Sequence, residues 1–314
     1  MNGRFISFFT KVLLSVALLL MILFSSFSQT ARNYAISLQT DNDSYLMIRQ
    51  DQYYTNGLIL TFDKPLRHSE SQVDLLSVQL GHQLFNGSLI YEQNDLHWDR
   101  PSTGRFFINT QFQRTYKSDW LWNVKAEVGT VGEAGKGKQI QHFIHKMFKM
   151  YEVESWESNL KSSIGLDLEA SVLKSFWRSE GPHFEVSGKL VGRGGMNFSH
   201  ISSQAIFRAG RLAPYSQSNF VGNGGFFSDD KESYFFYVPG YMYQFYNATI
   251  QGGLFARRRE ERYDISKNVF SHQVGYAYSR RRFAIEAAVL FNTREGKEMY
   301  SNHQFARVKV GFRF

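Results

Sequence analysis

The last segment of the chain limits most strongly what it can fold into. Ala306, Val308, Val310, Phe312 and Phe314 alternate with Arg307, Lys309, Gly311 and Arg313. A helix would spread these residues around its circumference, whereas a strand sorts them onto two faces. One face is apolar and the other charged, as in a wall between lipid and a hydrated interior. The sorting recurs in 119–131, where Trp120, Trp122, Val124, Ala126 and Val128 oppose Asn123, Lys125, Glu127 and Gly129.

Segments with this period predict twelve strands: 33–40, 54–63, 73–84, 104–115, 120–132, 162–174, 182–192, 202–211, 241–257, 268–279, 282–293 and 304–314. Aromatic residues make up 16% of the chain while mean hydropathy is only −0.35. Outward aromatic girdles around a polar interior reconcile the two values. The expected fold is therefore all-β, a transmembrane antiparallel β-barrel of about 12 strands. Bacterial single-chain barrels favour even strand numbers, so 241–257 is read as one strand. The segment 212–240, rich in Gly, Asn and Ser, is left as a long connection.

Residues 1–28 read as a secretory signal peptide. Arg4 and Lys11 precede or flank the apolar run 12–24, and Ser25, Ser26 and Ser28 supply small residues near a cut. The apolar run is shorter than the ~20 residues of a spanning helix. The barrel is then the single domain 29–314, with a formal charge of +6 in place of +8 once Arg4 and Lys11 are gone. The chain has no cysteine, which excludes disulfides and thiolate chemistry.

With both chain ends on the periplasmic side, the outer loops are 41–53, 85–103, 133–161, 193–201, 258–267 and 294–303. The third carries a short helix over 138–151, because Ile140, Phe143, Ile144, Met147 and Tyr151 form a helical stripe. Gln141 and His145 stand four apart on another face of that helix.

Strand parity thus gathers polar groups at one rim: Asp41, Asn42 and Asp43 after the first strand, Thr55 at the start of the second, and Gln141 with His145. Alternation turns Asp41, Asp43 and Thr55 inward, and Asn42 outward unless the strand ends there. A histidine titrating near neutrality can act as a general base. A carboxylate with neighbouring oxygens can hold Ca²⁺. A cation or an amide donor can stabilise an ester oxyanion. A plain polar hairpin loop, Asn56-Gly57 included, and a surface histidine on a loop helix are the bland alternatives.

Other chemistries lack their motifs. There is no Gly-x-Ser-x-Gly elbow, and Arg193-Gly194-Gly195 has no strand-to-helix context for a phosphate loop. His142 and His145 have no carboxylate at helical spacing to make a zinc site. Arg257, Arg258, Arg259 and Arg262 fall in an outer loop, where lipid phosphates or solvent are their partners rather than nucleic acid.

Several motifs resemble the outer-membrane lipid A 3′-O-deacylases. They are Asn42-Asp43, Asp51-x-x-Tyr54-Thr55-x-Gly57, Asp99-Arg100-Pro101-x-x-Gly104, Gly129-x-Val131-Gly132, Gln139-Ile140-Gln141-x-x-x-His145, and Trp156-x-x-Asn159-Leu160. Order and spacing hold over about 130 residues, and the final strand ends on Phe. The resemblance implies a twelve-stranded barrel in the bacterial outer membrane that hydrolyses the 3′-acyloxyacyl ester of lipid A with Ca²⁺. It implies His145 as general base, Asp43 and Thr55 as metal contacts, Asn42 and Thr55 as oxyanion or cation contacts, and Gln141 as support. Lipopolysaccharide of the outer leaflet would be the partner, and the barrel is expected to act as a monomer. A barrel phospholipase, or a porin or structural barrel without activity, are the alternatives.

Overall fold

The computed structural model describes residues 32–47, 51–92, 95–149, 151, 154–181, 183–255 and 263–314. The leader expected over 1–28 and the arginines 257–259 and 262 lie outside them. The strands are β1 (Ala35–Asn42), β2 (Tyr53–His68), β3 (Gln72–Asn86), β4 (Leu89–Glu92), β5 (Asp95–Trp98), β6 (Thr103–Tyr116), β7 (Trp120–Gly132), β8 (Ser163–Arg178), β9 (Phe184–Gly195), β10 (Phe198–Arg211), β11 (Glu232–Asn247), β12 (Asn268–Arg280), β13 (Phe283–Asn292) and β14 (His303–Arg313). Twelve of them close a barrel, and β4 with β5 forms a separate hairpin in the loop between β3 and β6. Closure joins the first and last strands, with Leu38 opposite Val310 and Asp41 opposite Arg307. No helix among the described residues is long and apolar enough to cross a membrane.

Alternation decides what each wall faces. Leu58, Leu60 and Phe62 on β2, and Ile164, Leu166 and Leu168 on β8, point outward and are exposed. The interior is laced by ion pairs. Arg105 meets Glu127, Arg193 bridges Glu127 and Asp167 at 2.6 Å each, and Arg307 holds Asp41 at 2.9 Å. Isolated charges there would be costly, and these three arginines are set against carboxylates.

Strands β2, β8 and β10 run four or five residues beyond their expected limits, and one strand is displaced altogether. The ninth barrel strand is Glu232–Asn247 rather than 241–257. Its inward residues Tyr234, Phe236 and Val238 are apolar and buried. They pack with Leu212 and Tyr215 from the connection 212–231, which turns back into the barrel. Gln113 Nε2 donates to Val221 O at 2.9 Å, and Asn223 Nδ2 donates to Thr115 Oγ1 at 2.9 Å. The long connection on the short-turn side is thus an internal plug.

At the opposite rim the β7–β8 loop forms helix α1 (Gly137–Phe148), and a four-residue helix α2 (Ala248–Gln251) follows β11. Gly104, Gly135 and Gly137 let backbones meet there. A Cβ on Gly104 would stand 2.4 Å from Gly137 N.

Candidate active site

Asn42 ends β1, and its Oδ1 accepts a hydrogen bond from Ser44 N at 2.7 Å. That closes a local Asx turn, which satisfies the amide oxygen within its own loop. Asp43 follows. Its backbone N–H donates to Thr55 O at 3.3 Å, tying the ends of β1 and β2 together. Its Oδ2 accepts from Gln52 N at 2.9 Å. Its Oδ1 is buried with no hydrogen-bond partner among the described residues. Burial, reinforced by the charge of Asp51, pushes the Asp43 carboxyl up to about 8. A cleft of about 390 Å³ opens beside it, walled in part by Leu46, Gln52, Phe270, Phe291 and Gln304.

Thr55 is buried at the start of β2. The β2–β3 register shifts between Tyr54 and Asn56, so Thr55 is the extra residue of a bulge. Tyr54 beside it faces the interior, and its hydroxyl donates to Asp41 Oδ2 at 2.9 Å. Among the described residues the Thr55 hydroxyl reaches its local carbonyl, Tyr53 O, at 3.5 Å.

Helix α1 crosses the strand ends one turn at a time. Gly137 packs on Gly104 of β6. Gln141 Oε1 accepts from Asn86 Nδ2 at the end of β3, at 3.1 Å, and from Trp156 Nε1 at 2.8 Å. His145 reaches Asp51, just before β2, with Nε2 3.3 Å from Oδ2. Four residues rise ~6 Å along a helix, close to the ~4.8 Å between strands, so residues spaced by four meet successive strands. This is why Gln141 and His145, 2% and 7% exposed, are the buried polar residues of the helix.

The Nδ1 atom of His145 lies 2.7 Å from Tyr151 O. A carbonyl only accepts, so Nδ1 carries a proton and Nε2 is left as the basic nitrogen. Tyr151 Oη donates to the same Asp51 oxygen that faces Nε2. The hydrogen bond to Asp51 is the largest influence on His145 and raises its pKa, with burial opposing. Burial drives the Tyr151 phenol up, and Asp51 and Asp43 add to the effect. Asp43, Asp51, Tyr151 and His145 therefore feel one another as a single cluster.

The model of the family described as outer membrane protein LpxR matches residues 12–314. The chain belongs to the LpxR family. It is an outer-membrane barrel, as its motifs implied. LpxR from Salmonella typhimurium shares the fold: TM-score 0.73, 15% identity, 89% of this chain and 100% of that one. The β domain of the Bordetella autotransporter BrkA has TM-score 0.48 and 7% identity, covering 91% and 99%. The translocator domain of NalP from Neisseria meningitidis has TM-score 0.44 and 11% identity, covering 92% and 90%. No curated protein sequence matches significantly.

Within this LpxR-family barrel, some motif residues hold the frame. Asp99 Oδ2 accepts from Tyr53 Oη at 2.6 Å and from Tyr300 N at 3.0 Å, and Oδ1 accepts from Ser88 N at 2.7 Å. Ser102 pairs with Asn159, which brings two separate motifs together. Asp51 and Tyr151 are the partners of His145 that spacing alone did not single out. Asp51 was visible as the head of its motif, but nothing in the sequence aligned it with a helix about ninety positions later. Tyr151 entered the apolar stripe, while its carbonyl and hydroxyl are what touch the site.

Proposed function

We propose that this chain is an outer-membrane esterase that removes the 3′-acyloxyacyl group of lipid A, with His145 as general base and Ca²⁺ as cofactor. The observation that carries the reading is His145 itself, buried at the rim with Nδ1 on a carbonyl and Nε2 toward Asp51. That setting suits the imidazolium formed when a base takes a proton. His145 Nε2 accepts a proton from water as the water oxygen attacks the ester carbonyl carbon. The carbon–oxygen ester bond then breaks, and His145 returns the proton to the departing alkoxide. Asp51 stabilises the imidazolium, and Tyr151 fixes the ring through its carbonyl. The Nδ2 group of Asn42 and the Thr55 hydroxyl remain as donors toward the developing oxyanion.

Support for the cation comes from Asp43. Hard cations take carboxylate, carbonyl and water oxygens, and Asp43 offers a buried oxygen that has no partner among the described residues, beside the Asp51 charge. Among the described residues no three His, Asp or Glu side chains cluster as a metal site, so loop carbonyls, Thr55 and water would complete the set. When bound there, Ca²⁺ would neutralise these carboxylates and polarise the ester carbonyl. The ion-paired interior and its plug weigh against an open pore.

The test is mass spectrometry of lipid A after incubation of lipopolysaccharide with purified barrel. Loss of one acyloxyacyl unit with wild type and Ca²⁺, but not with His145→Ala or excess chelator, is expected. Cleavage of phospholipid with lipid A left intact would make the enzyme a phospholipase instead.

A further inference from the structure

Helix α1 has three faces, and only two are accounted for. Gly137, Gln141 and His145 pack on the barrel. On the second side Lys138, His142, Lys146 and Lys149 are exposed. On the third, Phe143 is 65% exposed and Met147 55%. A helix on a globular protein turns its apolar stripe to the core. Here the buried side is polar and the apolar side points away from the protein.

The place of the helix says what covers that side. Gly135 O, just before α1, accepts from His82 Nε2 at 2.7 Å. His82 lies on the same face of β3 as Leu80, an exposed residue of the outer wall. Gly104, against which α1 begins, shares the outer face of β6 with the exposed Phe106 and Ile108. The helix is therefore laid on the outside of the barrel, continuous with its lipid-facing wall, and not over the mouth.

We infer that α1 lies in the outer-leaflet interface, with Phe143 and Met147 in the acyl layer and Lys138, Lys146 and Lys149 at the anionic headgroups. The partner is the bilayer. Apolar residues on one flank and lysines on the other are what an interfacial helix requires. The two flanks fix the depth of the helix, and so that of His145 between them. Where His145 acts on a lipid ester, as proposed above, this sets it at the boundary of chains and headgroups; the membrane contact itself does not depend on that reading.

The chain has no cysteine, so single cysteines can be labelled cleanly. Phe143→Cys, Met147→Cys, His142→Cys and Lys146→Cys would each carry a nitroxide in the full-length barrel, reconstituted in vesicles of phosphatidylcholine and phosphatidylglycerol. Collision with oxygen, which partitions into lipid, is compared with collision with a water-soluble nickel chelate. The expected result is that oxygen dominates at 143 and 147 and the chelate at 142 and 146. All four positions alike, or 143 and 147 accessible to the chelate, would overturn the assignment. Heat-modifiable migration shows that each variant is a folded barrel, and no enzymatic readout enters.

Discussion

The Nε2 atom of His145 stands 3.3 Å from Oδ2 of Asp51, and Asp51 is held in the left-handed backbone region at φ 51°. A non-glycine residue enters that region at a cost, and only where its surroundings hold it there. Here the restraint includes the Tyr151 hydroxyl, which donates to the same carboxylate oxygen.

Replacing His145 with Ala is expected to lower deacylation about 10²–10⁴-fold, the usual reach of a general base. The barrel should keep its heat-modifiable migration. Asp51→Asn should behave differently. The neutral imidazole is the base, so activity rises as pH passes the His145 pKa. Asp51 raises that pKa, so its loss moves the acid limb of the pH–rate profile to lower pH while the plateau falls. A purely structural role for Asp51 would lower the plateau and leave the limb in place. The stability carried by this contact runs the other way: a raised histidine pKa adds stability at low pH, which is lost as pH rises through it.

Asp43 should make calcium binding depend on pH. With its carboxyl pushed up to about 8, the group is mostly protonated at neutrality when no cation is near. A cation must displace that proton, so the apparent affinity should fall about tenfold per pH unit below 8. Titration calorimetry in buffers of different ionisation enthalpy would register the released proton. Asp43→Asn should weaken binding and remove most of the pH dependence. Chelator should abolish deacylation in wild type, with recovery on adding Ca²⁺.

Most of the barrel was legible because lipid and water impose opposite demands on alternate residues. In 119–131 and 306–314 the two faces differ so sharply that period alone gives the strands. The code failed at β11, where Tyr234 and Phe236 face a plug of protein instead of water. Both faces of that strand are then aromatic, and nothing in the pattern marks where it starts. The bulge at Thr55 was not legible either, since one extra residue shifts the phase of the alternation and no residue type marks it. Helical spacing put Gln141 and His145 on one face of α1, which is the face that packs on the barrel. Their partners Asp51, Asn86 and Trp156 were not legible, because those contacts are set by how α1 crosses the strand ends.

Arg208 ties the plug to the wall. It is buried, 2.9 Å from Glu185, 3.3 Å from Glu232 and 2.8 Å from Ser218 Oγ. Arg208→Met would leave Glu232 without a cation, and breaking a buried pair in this way costs about 3–5 kcal/mol. The urea midpoint of unfolding in detergent, followed by gel mobility, should fall accordingly. Adding Glu232→Gln should restore part of the loss. If Arg208→Met unfolds at the wild-type midpoint, the plug is not held by this network.

The seating of α1 makes the most selective prediction. A methyl group on Gly104 would lie 2.4 Å from Gly137 N, 2.7 Å from Gly137 Cα and 2.8 Å from Gly135 O. These are backbone atoms, which cannot swing aside as a side chain would. Gly104→Ala should therefore displace the start of α1 without disturbing the strand, whose outward neighbour Phe106 already faces lipid. His145 lies eight residues along the helix from Gly137, so a small tilt at that end moves Nε2 away from Asp51. Activity should fall by about 10²-fold, since misplacing a catalytic group by ~1 Å costs that much. Gln141→Ala should act in the same direction, because it frees the helix from Asn86 and Trp156. In both variants limited proteolysis should cut within 137–148 sooner than in wild type, while the urea midpoint of the barrel stays put. An unchanged rate in Gly104→Ala would mean that the close backbone contact does not position His145.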